Sequence, residues 1–141
     1  MIMRTLTQKR RSHGRRGNAF VESALVLWPF ILLVFGLMQI GFIIWSNNTL
    51  AYAVDAGVRY ASLNGARSST PATEASIRQS VLENSTGLNT TILTVNVVWT
   101  PSNRPGNTVT VSATYPIQTM ISTVWTNPFA LRATSQMLIV N

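Results

Sequence analysis

The longest hydrophobic pattern in the chain is an uncharged stretch close to its N-terminus. No Asp, Glu, Lys or Arg lies between Glu22 and Asp55, and residues 24–45 are almost uniformly apolar. As a helix, this segment rises about 33 Å, enough to cross a hydrocarbon core of about 30 Å. The rest of the chain is too short to wrap such a helix on every side. We therefore predict one membrane-spanning helix.

Past Trp45 the pattern changes from uniformly apolar to periodic. The helix is expected to continue to about residue 63 and to stop at Asn64 and Gly65. Asp55 and Arg59 form an i,i+4 pair in the favourable order, and small residues such as Gly57 permit close helix packing. The inward stripe of this second half recurs at helical spacing at Leu50, Val54, Val58 and Ala61.

A shorter helix and three strands are expected after a polar break at residues 68–71. Thr70 and Pro71 are interpreted as the cap and first turn of the helix, which runs to about Asn84 and is ended by Gly87. Its inward residues are expected to be Ile77 and Val81.

Alternation in residues 92–100 and 108–115, around a turn cluster at residues 101–107, predicts a β-hairpin. Pro116 is expected to end the second strand. Residues 117–129 fit a helical stripe but remain ambiguous, and residues 131–140 predict a third strand. The inward residues are Leu93, Val95, Val97 and Trp99 on the first strand, and Val109, Val111, Ala113 and Tyr115 on the second.

These elements define an α+β fold class. A long N-terminal transmembrane helix continues into an amphipathic helix and is followed by a small extracytoplasmic domain with a β-hairpin and a third strand. The predicted organisation is a basic leader at residues 1–17, the long helix at 18–64 and the small domain at 65–141.

The net charge of +7 is concentrated at one end of the chain, since six of the eleven Lys and Arg residues lie before residue 18. A surface that binds nucleic-acid phosphates needs cations spread over a folded face. Because most of the basic residues here are clustered at the N-terminus, nucleic-acid binding is not expected. A basic flank stays in the cytoplasm, which predicts a cytoplasmic N-terminus and an extracytoplasmic C-terminal domain. Trp28 and Trp45 lie towards the two ends of the span, where indole rings favour the membrane interface.

The chain has few residues that could act in catalysis or bind a metal. The chain has no Cys, and beyond residue 17 it has neither His nor Lys, so a Ser or Thr nucleophile would lack a base. The four acids are isolated, which leaves no predicted metal site. We therefore expect no catalytic residues, no metal, no cofactor and no small-molecule substrate.

The most informative residues lie where the basic leader meets the span. Gly17 ends the leader, and Glu22, five positions later, is the only acid before Asp55. A carboxylate at the edge of the hydrocarbon is either stabilised by the positive helix N-terminus or needs a cationic partner. Cleavage after Gly17 would create such a partner, because Asn18 would then carry a free ammonium. An ordinary secretory signal, cut at residues 51–53, is the competing interpretation of the leader.

Residues 15–29 and 55–61 resemble the TadE-like family of the Tad (Flp) pilus machinery, with a class III leader like that of type IV pilins. The resemblance implies that a prepilin peptidase cuts between Gly17 and Asn18 and that Glu22 pairs with the new N-terminus of a neighbouring subunit. It also implies that Pro29 kinks the helix as subunits pack. The expected order of elements after residue 64 is similar to TadE-like proteins as well.

The resemblance implies a pseudopilin or minor pilin, a non-enzymatic single-pass protein of the bacterial inner membrane. Its expected partners are the prepilin peptidase, other pilin-like subunits through the N-terminal helix, and membrane lipid. Whether it enters the pilus or stays in the assembly platform is left open. The alternative is an unprocessed single-span protein whose outer domain binds another envelope component.

Overall fold

A computed structural model describes residues 14–117 and 129–141, with side chains from residue 20 onwards. Its elements follow the predicted α+β order. Two helices, α1 and α2, precede a three-stranded antiparallel sheet with strand order β1-β2-β3. Their bounds are α1 Gly14–Leu63, α2 Glu74–Asn84, β1 Thr94–Thr100, β2 Thr108–Ile117 and β3 Phe129–Leu138.

The chain divides into two compact units, Met1–Met38 and Gln39–Asn141. The described part of the first unit is helix α1 alone. Its apolar side chains are exposed, as in Leu25, Trp28 and Leu33, which are 72%, 68% and 59% exposed. The exposed apolar surface is what a lipid-facing helix presents, because hydrocarbon removes the need for a protein partner.

The second unit has a hydrophobic core built from the C-terminal part of α1, from α2 and from the inner face of the sheet. The predicted stripe of α1 is confirmed, since Leu50, Val54, Val58 and Ala61 are all fully buried. Gly57 lies against α2, where an added Cβ would come within 2.4 Å of Val81 Cγ2. The absence of a side chain at Gly57 is therefore what lets the two helices approach.

Helix α2 begins later than the sequence suggested. Its N-cap is Thr73 and not Thr70: the Thr73 side chain accepts from the Ser76 amide, and the Ser76 hydroxyl accepts from the Thr73 amide. This reciprocal capping box satisfies two donors that the first turn would otherwise leave unpaired. The predicted end at Asn84 and the burial of Ile77 and Val81 are confirmed.

The strands pair as a hairpin with a third strand added to β2. Val97 lies opposite Val111, which in turn lies opposite Ser135. The expected alternation is confirmed, because the inner positions of β1 and β2 are buried or half-buried throughout. The predicted third strand is β3, and the ambiguous residues 118–128 lie outside the described part of the chain.

Pro116 does not end β2 as expected, since the strand continues to Ile117 and pairs Pro116 with Ala130. The β1 partners of β2 stop at Thr114. Pro116 therefore lies where β2 has a neighbour on one side only, and a residue without an N–H is tolerated at such an edge.

The end of α1 is held by the last residues of the chain. The Val140 amide donates to the Ser62 carbonyl at 3.0 Å, and the Asn141 side chain donates to the Leu63 carbonyl at 3.1 Å. A Cβ on Gly65 would overlap the Asn141 carbonyl. The helix ends at Leu63 as predicted, but Gly65 is needed for this close approach and not for a left-handed backbone.

Candidate functional site

The predicted cleavage position lies at the beginning of α1. The first described residue of this helix is Gly14, so the backbone of Gly17 and Asn18 is helical. Gly17 and Asn18 are thus the fourth and fifth residues of the described helix.

Glu22 lies one turn further along α1, and its side chain is exposed. It makes no ion pair and no hydrogen bond with any side chain that the structure describes. The carboxylate is thus available to a cation from outside these residues. An unpaired carboxylate in this position is costly once the surrounding helix enters hydrocarbon.

Glu22 also lines a shallow, mostly apolar groove on the surface of α1. The other lining residues are Ser23, Val26, Leu27 and Phe30. Val26 and Phe30 follow Glu22 at intervals of four, which places them on the same helix face. The sequence interpretation missed these groove residues, although their helical spacing from Glu22 was the signal that would have found them.

Pro29 is inside α1, as expected, and the helix continues through it. Proline has no N–H, so the carbonyl of Leu25 loses its usual helical partner. Pro29 does not line the groove that Glu22 shares with Phe30. The site residues predicted from the sequence therefore all lie on one helix, and Glu22 lines the groove.

The described helix contains one stretch long and apolar enough to cross a membrane, within Phe20–Leu63, and none of its most hydrophobic window is buried in protein. Because a soluble core helix would be covered by protein, this exposure favours a helix covered by lipid. The candidate membrane anchor and the candidate pairing residue Glu22 are thus parts of the same element.

Trp45 is expected at the membrane interface, and in the structure its indole packs against the residue that follows α2. Gly87, which follows α2, lies against the Trp45 indole, and a Cβ there would come within 2.5 Å of Trp45 Cη2. Gly87 also has a φ of +80°, a left-handed backbone that favours glycine. Trp45 remains 45% exposed, so one side of its ring still faces outwards.

Asp55 and Arg59 form the predicted ion pair, with Arg59 Nε 3.0 Å from Asp55 Oδ2. Asp55 also accepts a hydrogen bond from the Ser135 hydroxyl at 3.4 Å, which ties α1 to β3. The Arg59 and Asp55 side chains are 68% and 42% exposed, so the pair is a helical surface contact with a small stabilising effect.

Among residues 14–117 and 129–141, no group of three His, Cys, Asp or Glu side chains is close enough to hold a metal ion. The polar contacts of the second unit instead join its helices, strands and loops, as Ser62 does when it donates to the Leu138 carbonyl. Around Glu22, the structure shows one carboxylate beside an apolar groove.

Residues 17–59 match the family model described as TadE-like protein. The match begins at Gly17, includes Glu22 and Pro29, and ends at Arg59 in the helix beyond the span. It confirms the family resemblance over these residues and implies a role related to the Tad pilus. Neither a curated protein nor a solved structure matches the chain.

Proposed function

We propose that the chain is a TadE-like pseudopilin or minor pilin, a non-enzymatic subunit of Tad (Flp) pilus assembly or secretion that is anchored by α1. The observation that carries the proposal is the match over residues 17–59, which starts at the glycine that ends the basic leader. The same residues contain Glu22 and the exposed apolar span. Anchor, predicted cut and predicted pairing residue therefore fall within one family-matched segment.

The first step of the proposed mechanism is hydrolysis of the Gly17–Asn18 peptide bond by a prepilin peptidase. The cut removes six basic residues and leaves an ammonium on Asn18 at the beginning of the helix. Before the cut, the basic leader holds the N-terminus in the cytoplasm of a bacterial inner membrane, so the C-terminal domain is on the outer side. After it, a new cation lies at the cytoplasmic edge of the hydrocarbon.

The second step is pairing between subunits. Glu22 of this chain accepts a hydrogen bond from the N-terminal ammonium of a neighbouring pilin-like subunit, and the neighbour's apolar helix packs along Val26, Leu27 and Phe30. A charge pair at low dielectric is favourable when neither ion can return to water, whereas a lone ion there is costly. The exposed carboxylate beside an apolar groove supports this pairing.

The processing step is tested by intact-mass measurement on protein from its native host and from the same host without its prepilin peptidase. We expect the mature chain to begin at Asn18 in the first host only. Gly17→Leu should block the cut in the first host, while Gly14→Leu, in the same leader, should leave it unchanged. Identical masses in both hosts would contradict the pilin proposal.

The pairing step is tested by Glu22→Gln, which keeps the shape of the side chain but removes its charge. Membrane insertion and cleavage should be retained, while crosslinking to other pilin-like subunits should fall strongly. Glu83→Gln is the matched control, because Glu83 is an exposed acid on α2. If Glu22→Gln assembles as well as Glu83→Gln, the carboxylate has no pairing role.

The orientation is tested by a reporter fused after Asn141 that is active on one side of the membrane only. Activity is expected on the outer side, and cytoplasmic activity would reverse the assignment. The fusion requires a flexible linker, because the Asn141 side chain contacts the end of α1.

A second candidate is an unprocessed single-span protein whose outer domain binds another envelope component. The observation in its favour is that the Gly17–Asn18 bond lies within α1, so a peptidase that takes an extended substrate must first unwind that turn. The family match, which begins at Gly17, keeps the first candidate ahead. The mass comparison separates the two candidates directly.

A further inference from the structure

Along α1, the helix surface changes within a few residues from exposed and apolar to buried in the core of the second unit. Ile40 and Ile44 are 54% and 56% exposed, and both belong to the apolar stretch. Ser46, two residues after Ile44, is fully buried, and Leu50 follows it into the core. Helix α1 continues without a break from Ile44 to Leu50, so no linker separates the end of the apolar stretch from the domain.

Among the described residues, the loop between α2 and β1, here called the α2–β1 loop (residues 85–93), lies at the level of Trp45. Gly87 packs on Trp45, the last residue of the apolar stretch. The Asn89 amide donates to the Tyr115 hydroxyl at 3.4 Å, which fastens the loop to β2. The loop is therefore packed beside Trp45 and hydrogen-bonded to β2.

The exposed residues of the α2–β1 loop are neutral and polar. They are Thr86, Asn89, Thr90 and Thr91. Such side chains fit the headgroup region, where hydrogen-bonding groups meet water and phosphate. The Trp45 indole, half exposed beside them, is a side chain that favours the same depth.

The opposite end of the domain has a different character. Ala66 donates its amide to the Asn103 carbonyl at 3.0 Å, which joins the loop after α1 to the hairpin loop. Arg67 and Arg104, next to these two residues, are exposed charges. Strand β1 lies between the two ends and rises about 24 Å, so the neutral end and the charged end are well separated.

We propose that Thr86, Asn89, Thr90 and Thr91 form a lipid-docking surface that lies among the phospholipid headgroups of the leaflet on the domain's side of the membrane. The inference deepens the proposed function, on whose membrane span it rests. The domain is held at a fixed height by Trp45 from the helix side and by the α2–β1 loop from the domain side. The charged loops at Arg67 and Arg104 are left facing away, towards partners.

Single-cysteine labelling tests the surface directly, because the chain contains no Cys. The full chain with Thr90→Cys or Ser69→Cys is labelled with an environment-sensitive fluorophore and reconstituted into phosphatidylcholine vesicles with or without a headgroup nitroxide lipid. Ser69 is an exposed residue in the loop after α1, which makes it the matched control. Quenching at position 90 is expected to exceed that at position 69 several-fold.

Thr86→Cys is a second probe of the same surface, in case a label at position 90 disturbs the fold. Vesicle flotation is measured on every labelled protein. Flotation with equal quenching at positions 69, 86 and 90 would overturn the lipid-docking surface but leave the proposed pilin function intact. Failure of the unlabelled chain to float would overturn the span and this surface together.

Discussion

The two halves of α1 share one helical backbone, but their apolar side chains differ in how far they are exposed. In the N-terminal half, Val21 and Leu33 are 64% and 59% exposed, and apolar side chains point in every direction. In the C-terminal half, Leu50 and Val54 are fully buried while Tyr52 between them is 66% exposed. The comparison teaches that the period of the apolar residues, and not helix formation itself, decides whether lipid or protein covers a helix.

The largest effect expected from this comparison comes from matched Leu→Ala substitutions. Leu50→Ala should lower the free energy of unfolding of the domain by about 2–5 kcal/mol, because it leaves a cavity in the core. Leu33→Ala should leave that free energy unchanged, since Leu33 is 59% exposed and is not part of the hydrophobic core. Hydrogen exchange of the β2 amides in detergent micelles measures both. Equal protection in the two variants would mean that the halves are not energetically distinct.

Glycines sharpen the same comparison. Gly57→Ala should destabilise the domain by about 1–3 kcal/mol, because the new methyl group overlaps Val81 on α2. Gly36→Ala should be neutral for the domain, as a Cβ at Gly36 meets nothing within 4 Å. Denaturant unfolding of the two variants, followed by β2 amide exchange, checks the difference. A neutral Gly57→Ala would show that α2 can move away without cost.

A smaller effect is expected at the cap of α2, the helix that covers Gly57. Thr73→Ala should cost about 1 kcal/mol by removing the acceptor for the Ser76 amide. Thr70→Ala should change the stability by less than about 0.5 kcal/mol, as an exposed residue outside the capping box. Thermal unfolding of the pair decides whether the cap lies at Thr73. The reverse order of stabilities would restore the sequence-based assignment.

The smallest effect concerns the solvated pair on the packed half of α1. Asp55→Asn removes the ion pair with Arg59 and should cost only about 0.3–0.5 kcal/mol. Because the pair is exposed to solvent, the difference from the parent should shrink as salt is added. Thermal unfolding at low and high salt provides the measurement. A loss that persists at high salt would instead point to the Asp55 contact with Ser135.

Much of the fold could be predicted because its signals are local and periodic. The stripe at Leu50 and Val54 and the alternation through Val95 and Val97 each follow from the spacing of one element. The cap of α2 was misplaced because Pro71 suggested an earlier first turn, whereas Ser76 closes the capping box with Thr73. A serine at that position is a weaker sequence signal than the usual Glu or Gln.

The features that could not be predicted depend on residues far apart in the chain. Nothing local to Pro116 shows that the partner strand has already stopped at Thr114. Likewise, Gly65 and Gly87 are explained by Asn141 and Trp45, which lie far from them in sequence. At the candidate site, Gly17 and Glu22 stay predictions that rest on their position at the leader junction. The groove residues Val26 and Phe30 could have been found from their helical spacing to Glu22.

The contacts between β3 and α1 have a consequence for how the protein is made. Ser62 meets Leu138, and Asp55 meets Ser135, across separations of 76 and 80 residues. Closing such long loops is entropically unfavourable until the intervening hairpin has formed. Synthesis proceeds from the N-terminus, so α1 emerges long before β3, the strand that contacts its C-terminal part. In the interval, the apolar stripe of α1 is open to water, chaperones or the helix of another subunit.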